Sequence, residues 1–218
     1  NRTNYGALVP GIKGFNVSTS IYAYYCATGF AYFWPNELAS VPDQILNNMY
    51  TSSVITYNVT LPKADITCEP LLYAFFNQPS NPRLQRLMNE TYSAHEAKYN
   101  ATGEYVAYSE GVSPYEFIWE WVVSANGDTW KITNGTTYIQ TNPFIYTKVS
   151  LSFLAVYNTN FTREMSIYLE KVLPEPTNGY YEGADFNTNR DAVVVLGSVN
   201  ANANGLILAA ARYALNLL

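Results

Sequence analysis

"LYAFFNQPSNPRLQRLMNETYSAHEAKY" (Leu72–Tyr99) and "FLAVYNTNFTREMSIYLEKVL" (Phe153–Leu173) share one layout: an apolar helix, a short polar break, then an amphipathic helix. In the first, the break falls at Gln78-Pro79-Ser80-Asn81-Pro82, and Gly103 ends the second helix. Helix pairs repeated in this way stack into solenoids or close into rings, because each pair buries its apolar face on the next.

Helical period extends outward from these two pairs. "VSTSIYAYYCATGFAYFW" begins with Ser and Thr capping residues and runs apolar to Pro35, where a helix must stop. "VPDQILNNMY" carries Pro42 near its first turn, "NPFIYTKVSLSFLAVYN" leads into "TREMSIYLEKVL", and "ANANGLILAAARYALNLL" closes the chain. That makes about seven helices. The middle differs. "EYVAYSE" and "YEFIWEWVVSANGDTWKI" alternate, are rich in aromatic and β-branched residues, and place a hairpin turn at Asn126-Gly127-Asp128. The pattern predicts a mainly α fold of paired antiparallel helices, one domain over residues 1–218, with a small antiparallel β-hairpin insertion at 104–132.

Composition narrows the classes of function. Charged residues are 13% of the chain, the net charge is -5, and no Lys/Arg stripe exists to meet phosphates, so nucleic acid is excluded as a partner. The most apolar stretches, Ile21–Trp34 and Ala192–Leu218, are broken by Tyr, Asn, Thr and Arg212, which argues against a membrane span. N-x-S/T triplets begin at Asn1, Asn16, Asn58, Asn89, Asn100, Asn134 and Asn160. They imply a secreted or cell-surface glycoprotein in which sugar replaces charge as the solubilising coat. No signal peptide stands at Asn1, so a secreted chain has been processed or starts further upstream. Cys26 and Cys68 either pair in an oxidising compartment or remain two buried thiols.

The blocks "EPLLYAFF", "AHEAKYNATGEYVAYSEG", "PYEFIWEWVVSANGDTW", "YTKVSLSFLAVYNTNFTREM", "NGYYEG" and "NANANGLILAAARYAL" occur in an order and spacing that resembles the bacterial domain of unknown function 3131. "YAYYCATGFAYFWP" is similar to the aromatic helix preceding them, so the likeness runs from about Asn16 to the C-terminus. That family is in turn similar to glucoamylase-like (α/α)6 toroids, among them enzymes of β-1,2-glucan metabolism. The resemblance implies the C-terminal half of such a toroid and a polysaccharide or other glycan as ligand. A full ring uses about twelve helices, so the other half would come from an N-terminal half-domain chain or from further copies of this one. One departure stands in the last helix, where this chain has Ala209 and the family usually has a glutamate.

Glycoside hydrolysis generally uses two carboxyl groups, one protonated and one ionised, in the central cleft of such a fold. Glu182 in "YYEGAD" and Glu110 in "YSEGVSPY" each follow aromatics and precede a glycine that permits a sharp turn. Glu182 ranks first as acid or sugar ligand, Glu110 second and Asp185 third, each weighed against a solvated loop carboxylate. Tyr180, Tyr181, Tyr115, Trp119 and Trp121 offer flat faces for sugar rings, and alternation puts the two tryptophans on one side of a strand. Aromatics in a strand more often pack a core, so at least one of the pair is expected to do that. Asn202 and Asn204 lie in the first turn of the last helix, where free N–H groups favour polar ligands, and N-capping is their competing role. His95, the sole histidine, is expected on the surface or rim, and no zinc pattern, nucleophile elbow or phosphate loop is present. No cofactor is implied, save that Asp185, Asn187, Asn189 and Asp191 alternate as calcium-binding oxygens would. The class alternative to an enzyme is a non-catalytic surface or filament glycoprotein that keeps the toroid packing.

Overall fold

A computed structural model describes residues 18–112, 116–135, 137–175, 177–189 and 192–216. Asn1, Asn16, Tyr115 and Asp191 lie outside the described residues. The described helices are α1 (Ile21–Phe33), α2 (Pro35–Leu38), α3 (Val41–Met49), α4 (Cys68–Asn77), α5 (Pro82–Thr102), α6 (Thr147–Tyr157), α7 (Asn160–Val172) and α8 (Ala201–Asn216).

Their ends follow from local chemistry. Ser20 Oγ accepts the Tyr22 N–H at 3.3 Å, Asn81 Oδ1 that of Arg83 at 3.0 Å, and Asn200 Oδ1 that of Ala203 at 2.7 Å. Each satisfies one amide that the first helical turn leaves without a partner. The cap of α8 is therefore Asn200, not Asn202 or Asn204. Gly103, at φ 73°, ends α5 in the left-handed region that glycine enters without strain.

Strand content exceeds the single insertion expected, and the fold is mixed α/β. Strands β1 (Ser53–Thr56) and β2 (Val59–Pro62) form a hairpin. β3 (Glu110–Val112), β4 (Phe117–Val123), β5 (Thr129–Asn134) and β6 (Thr137–Tyr138) form a four-stranded antiparallel sheet in that order. β7 (Phe144–Tyr146), β8 (Gly183–Asp185) and β9 (Val195–Leu196) form a third. Two reasons account for the difference. The β1–β2 turn is Tyr57-Asn58, with φ 46° and 63°, and lacks the glycine that marks a hairpin in sequence. Phe144-Ile145-Tyr146 runs without interruption into α6, so its apolar pattern reads as one helix, yet it pairs with Gly183–Asp185, about 40 residues on. The sheet predicted at 104–132 spans Glu110 to Tyr138 instead.

Helix α4 is the hub. Cys68, Glu69, Pro70, Leu71, Leu72, Ala74 and Phe75 are all buried, and α4 packs against α1, α5, α6 and α8. A helix covered nearly all round is a core element. Short backbone bridges then fix how the helices enter the core. Ile21 N–H donates to Asp65 O (3.0 Å), Ile66 N–H donates to Val123 O (2.8 Å) while Ile66 O accepts the Val122 N–H (2.9 Å), and Ala107 pairs with Ile145. The segments that lead into α1, α4 and α6 are thereby joined through strand-like pairs.

Two expectations about polar residues are corrected inside this core. His95 is fully buried, not on the surface. Its Nδ1 bonds Thr91 O at 2.8 Å and its Nε2 accepts the Tyr108 N–H at 3.1 Å, while burial lowers its pKa to about 4. It is a neutral, satisfied core histidine. Cys26 is an exposed free thiol and Cys68 a buried one beside His95, at 3.9 Å, so the two are not paired in this structure.

Glu120 faces the core from β4, where its Oε1 accepts the Phe144 N–H at 2.8 Å and its Oε2 has no partner. Burial pushes this carboxyl well above its ordinary 4.5, against bonds from the Phe144 and Ser109 backbones and the charge of Lys148. The folded chain therefore keeps a proton that the unfolded chain releases, and this contribution to stability fades as pH rises above the ordinary value. Glu120→Gln should gain on the wild type in urea denaturation as pH is raised from about 5 to about 8. A difference that stays constant with pH would show Glu120 ionised in the fold.

Candidate functional site

Tyr22, Glu69, Lys148 and Asn202 are each the second residue of their helix, in α1, α4, α6 and α8. A chain of side-chain bonds joins the last three. Lys148 Nζ donates to Glu69 Oε2, and Asn202 Nδ2 donates to Glu69 Oε1 at 2.7 Å. The Tyr73 hydroxyl donates to Asn202 O and Oδ1, at 2.8 and 2.7 Å. Glu69 in a first helical turn is favoured by the N-terminal end of the helix dipole. Lys148 in the same position is not, so its ammonium depends on the oxygens around it.

Two strand segments complete the cluster. Lys148 Nζ donates to the backbone oxygen of Glu110 at 2.7 Å and stands 4.0 Å from Glu182 Oε1. Tyr22 donates its hydroxyl to Glu110 Oε2, and Ser198 Oγ donates to Glu182 Oε2 at 2.5 Å. Glu69, Glu110, Glu182 and Lys148 are 6%, 9%, 2% and 2% exposed, so three carboxyl groups surround one buried ammonium. Glu110 and Glu182, far apart in sequence, therefore share one site.

The glycines after them act differently from expectation. Gly111 and Gly183 lie in strands β3 and β8, not in turns. A Cβ on Gly111 would stand 2.2 Å from Glu182 Oε1, so its missing side chain is the space the Glu182 carboxylate occupies. A Cβ on Gly183 would meet Ile145 O at 2.3 Å, so only glycine lets β8 lie this close to β7.

Burial pushes the Glu110 carboxyl up to about 7; the charge of Glu69 and its place within hydrogen-bonding reach add to this, while Tyr22 and Lys148 oppose it. Burial, then the charge of Glu110, likewise raises the Tyr22 phenol. Two carboxyl groups this close share a proton more readily than they both ionise.

An aromatic face adjoins Glu110. Glu110 pairs directly with Trp119 across β3 and β4, and Trp119 hydrogen bonds the Tyr22 hydroxyl. Trp121 stands edge-on to Tyr22 at 6.0 Å between ring centroids and donates Nε1–H to Thr133 Oγ1 at 3.0 Å. Both tryptophans are half-buried on one side of β4, as alternation requires, while Ile118, Glu120 and Val122 face the core.

Further sequence candidates sit elsewhere. Asp185 accepts the Val194 N–H at 2.7 Å and Tyr168 bonds its backbone oxygen, so it closes the third sheet and does not join the carboxylates. Asn187 Oδ1 accepts the Asn189 N–H at 2.9 Å, forming a local turn. Among the described residues no group of three or more His, Cys, Asp or Glu is placed to hold a metal ion. Asn204 clasps the backbone of Tyr180, accepting its N–H at 2.8 Å and donating to its oxygen at 3.1 Å. Tyr180 and Tyr181 line a cavity of about 350 Å3 with Thr147 and Glu170, apart from the carboxylates. Asn58, Asn89, Asn100 and Asn160 are exposed, whereas Asn134 is half-buried and donates to Glu116 at 2.6 Å.

Sequence reasoning passed over Tyr22, Glu69, Lys148 and Ser198. The available signal was a lone charge inside each of two apolar helices, "CEPLLYAFF" and "TKVSLSFLAVY". A charge in such a run needs a partner, but the pattern does not say which one.

A family model described as "Protein of unknown function (DUF3131)" matches residues 21–216. No curated protein and no solved structure matches the chain. Among the described residues no helix is long and apolar enough to cross a membrane.

Removing the ammonium tests the cluster. Lys148→Met should lower unfolding free energy by about 3–5 kcal/mol in urea denaturation, since it leaves buried carboxylates uncompensated. Lys148→Met combined with Glu69→Gln should recover part of that loss. No recovery would mean the pair is not the element that matters.

Proposed function

The chain belongs to the DUF3131 family of proteins of unknown function, and we propose that it binds a polysaccharide at the Tyr22, Trp119 and Trp121 face and hydrolyses a glycosidic bond there. Glu110 is the general acid and Glu182 the second carboxylate. The observation that carries this reading is the meeting of Glu110 and Glu182 around Lys148 beside that aromatic face, with burial pushing the Glu110 carboxyl up to about 7. A glycosidic oxygen must receive a proton as its bond to the sugar breaks, and an acid with a pKa near the working pH delivers it best. Glu182, hydrogen bonded by Ser198 and facing Lys148, activates water or attacks the sugar. Glu69, bound between Lys148 and Asn202, tunes Glu110. The ring faces of the tryptophans supply flat apolar surface for sugar C–H groups.

The finer architecture belongs to the same proposal. Four helix ends meeting at one acidic cluster suit part of an (α/α) toroid, whose remaining helices come from an N-terminal half-domain chain or from further copies. The exposed sequons at Asn58, Asn89, Asn100 and Asn160 suit a secreted, N-glycosylated protein.

Incubation with β-1,2-glucan and a panel of other polysaccharides, followed by release of reducing ends, tests the reaction. Release should decline as pH rises through about 7, because Glu110 then loses the proton it donates. Glu110→Gln should slow release by about a hundredfold or more with an unchanged circular dichroism spectrum. A folded protein that neither binds nor cleaves any polysaccharide would end this reading.

One observation favours the non-catalytic alternative. The end of α1 exposes Tyr32 (84%) and Phe33 (72%) beside a half-exposed Phe30. Contiguous exposed aromatics suit burial by a neighbouring subunit. A native mass showing a long homopolymer, together with no glycan turnover, would select the assembly glycoprotein.

A further inference from the structure

Asn202 is exposed at the second position of α8, yet both ends of its amide are engaged. Its Nδ2 donates to Glu69 Oε1 at 2.7 Å, and its Oδ1 accepts the Tyr73 hydroxyl at 2.7 Å. The cap of α8 is Asn200, so this amide is not spent on capping. An amide side chain accepts at one end and donates at the other. With Tyr73 holding the oxygen, the nitrogen is the end left to face Glu69, and the opposite rotation would set oxygen against oxygen. Tyr73 follows Glu69 by one helical turn on the same face of α4, and its ring stacks on Tyr25 at 5.7 Å between centroids.

Glu69 and Glu110 stand in one shared environment. Lys148 from α6 donates to Glu69 Oε2 and to the Glu110 backbone oxygen. Tyr22 from α1 feels the charge of both carboxyls, Tyr146 from β7 does the same, and Glu182 faces Lys148 from the other side. Two carboxyl groups in such a place compete for one proton, and a hydrogen bond donated to either favours its charged form. Asn202 and Lys148 give such bonds to Glu69, which leaves the proton to Glu110. Tyr22 works the other way, by donating to Glu110 Oε2. The Asn202 bond is thus one of the few contacts that decide which carboxyl holds the proton.

We propose that Asn202 and Tyr73 are positioning residues for the hydrolysis: Tyr73 orients the Asn202 amide, the amide holds Glu69 as a carboxylate, and the transferable proton stays on Glu110. This rests on the reading of Glu110 as the general acid. In it Asn202 acts through Glu69 and not by touching the sugar.

NMR titration of isotope-labelled glutamate carboxyls, with the Glu110 signal assigned from Glu110→Gln, tests the link without substrate. Asn202→Ala frees Glu69 to take the proton, so Glu110 should titrate about one pH unit lower than in the wild type, the effect of one lost hydrogen bond to a charged group. Tyr73→Phe keeps the ring on Tyr25 and should move the titration the same way by less. In both variants the decline of reducing-end release with rising pH should begin correspondingly lower, with KM and the circular dichroism spectrum unchanged. A Glu110 titration that stays in place in folded Asn202→Ala would overturn the proposal. So would a KM that rises while the pH profile stays, which marks Asn202 as a sugar contact. A shifted titration in a protein that cleaves no polysaccharide would support the hold on Glu69 and overturn the hydrolytic reading alone.

Discussion

A lysine ammonium 2% exposed to solvent is the constraint around which this molecule is organised. Charge taken out of water is tolerated only where opposite charge and hydrogen-bond acceptors replace the lost hydration. Lys148 obtains them from three separate parts of the chain: the carboxylate of Glu69, the backbone oxygen of Glu110 and the facing carboxylate of Glu182. None is a sequence neighbour, so satisfying one cation brings α4, α6, β3 and the approach to β8 to the same place. The stitched segments ahead of α1, α4 and α6 do the same with backbone bonds. Side-chain charge and main-chain pairing therefore require the same arrangement, which is the mutual consistency expected of a sequence with one favoured fold.

That convergence puts an acid where acid chemistry is feasible. Three carboxyl groups around one ammonium leave an excess of negative charge in a poorly solvated region, and the proton on Glu110 relieves it. The same burial that raises Glu110 sets it against half-buried rings, because β3 pairs Glu110 with Trp119. Gly111 and Gly183 make this geometry possible by absence of a side chain: one leaves room for a carboxylate, the other for a neighbouring strand. Structural need and proposed chemistry thus draw on the same atoms.

Periodicity, proline and glycine were sufficient to read the helices. Pro35, Asn81-Pro82 and Gly103 mark boundaries that the helices respect, because these residues act through local backbone geometry. The alternation of β4 likewise placed Trp119 and Trp121 on one side of a strand. The third sheet was illegible for the opposite reason. Phe144–Tyr146 is a strand because Gly183–Asp185 lies beside it, and nothing within the segment separates it from the helix that follows. His95 looked exposed beside Glu96 and Lys98, yet its partners are the backbones of Thr91 and Tyr108.

By itself, then, the sequence determined helix positions, the tryptophan face, the acidic and weakly charged character of the chain, and the pairing of Glu110 and Glu182 with glycines. Only the tertiary structure decided that these two glutamates meet, that Glu69 and Lys148 join them, and that Asp185 does not. Helix caps and strand alternation depend on residues a few positions apart, which a linear reading contains. The ionisation and role of a buried carboxyl depend on which distant charges and bonds the fold delivers to it, and those are set by packing.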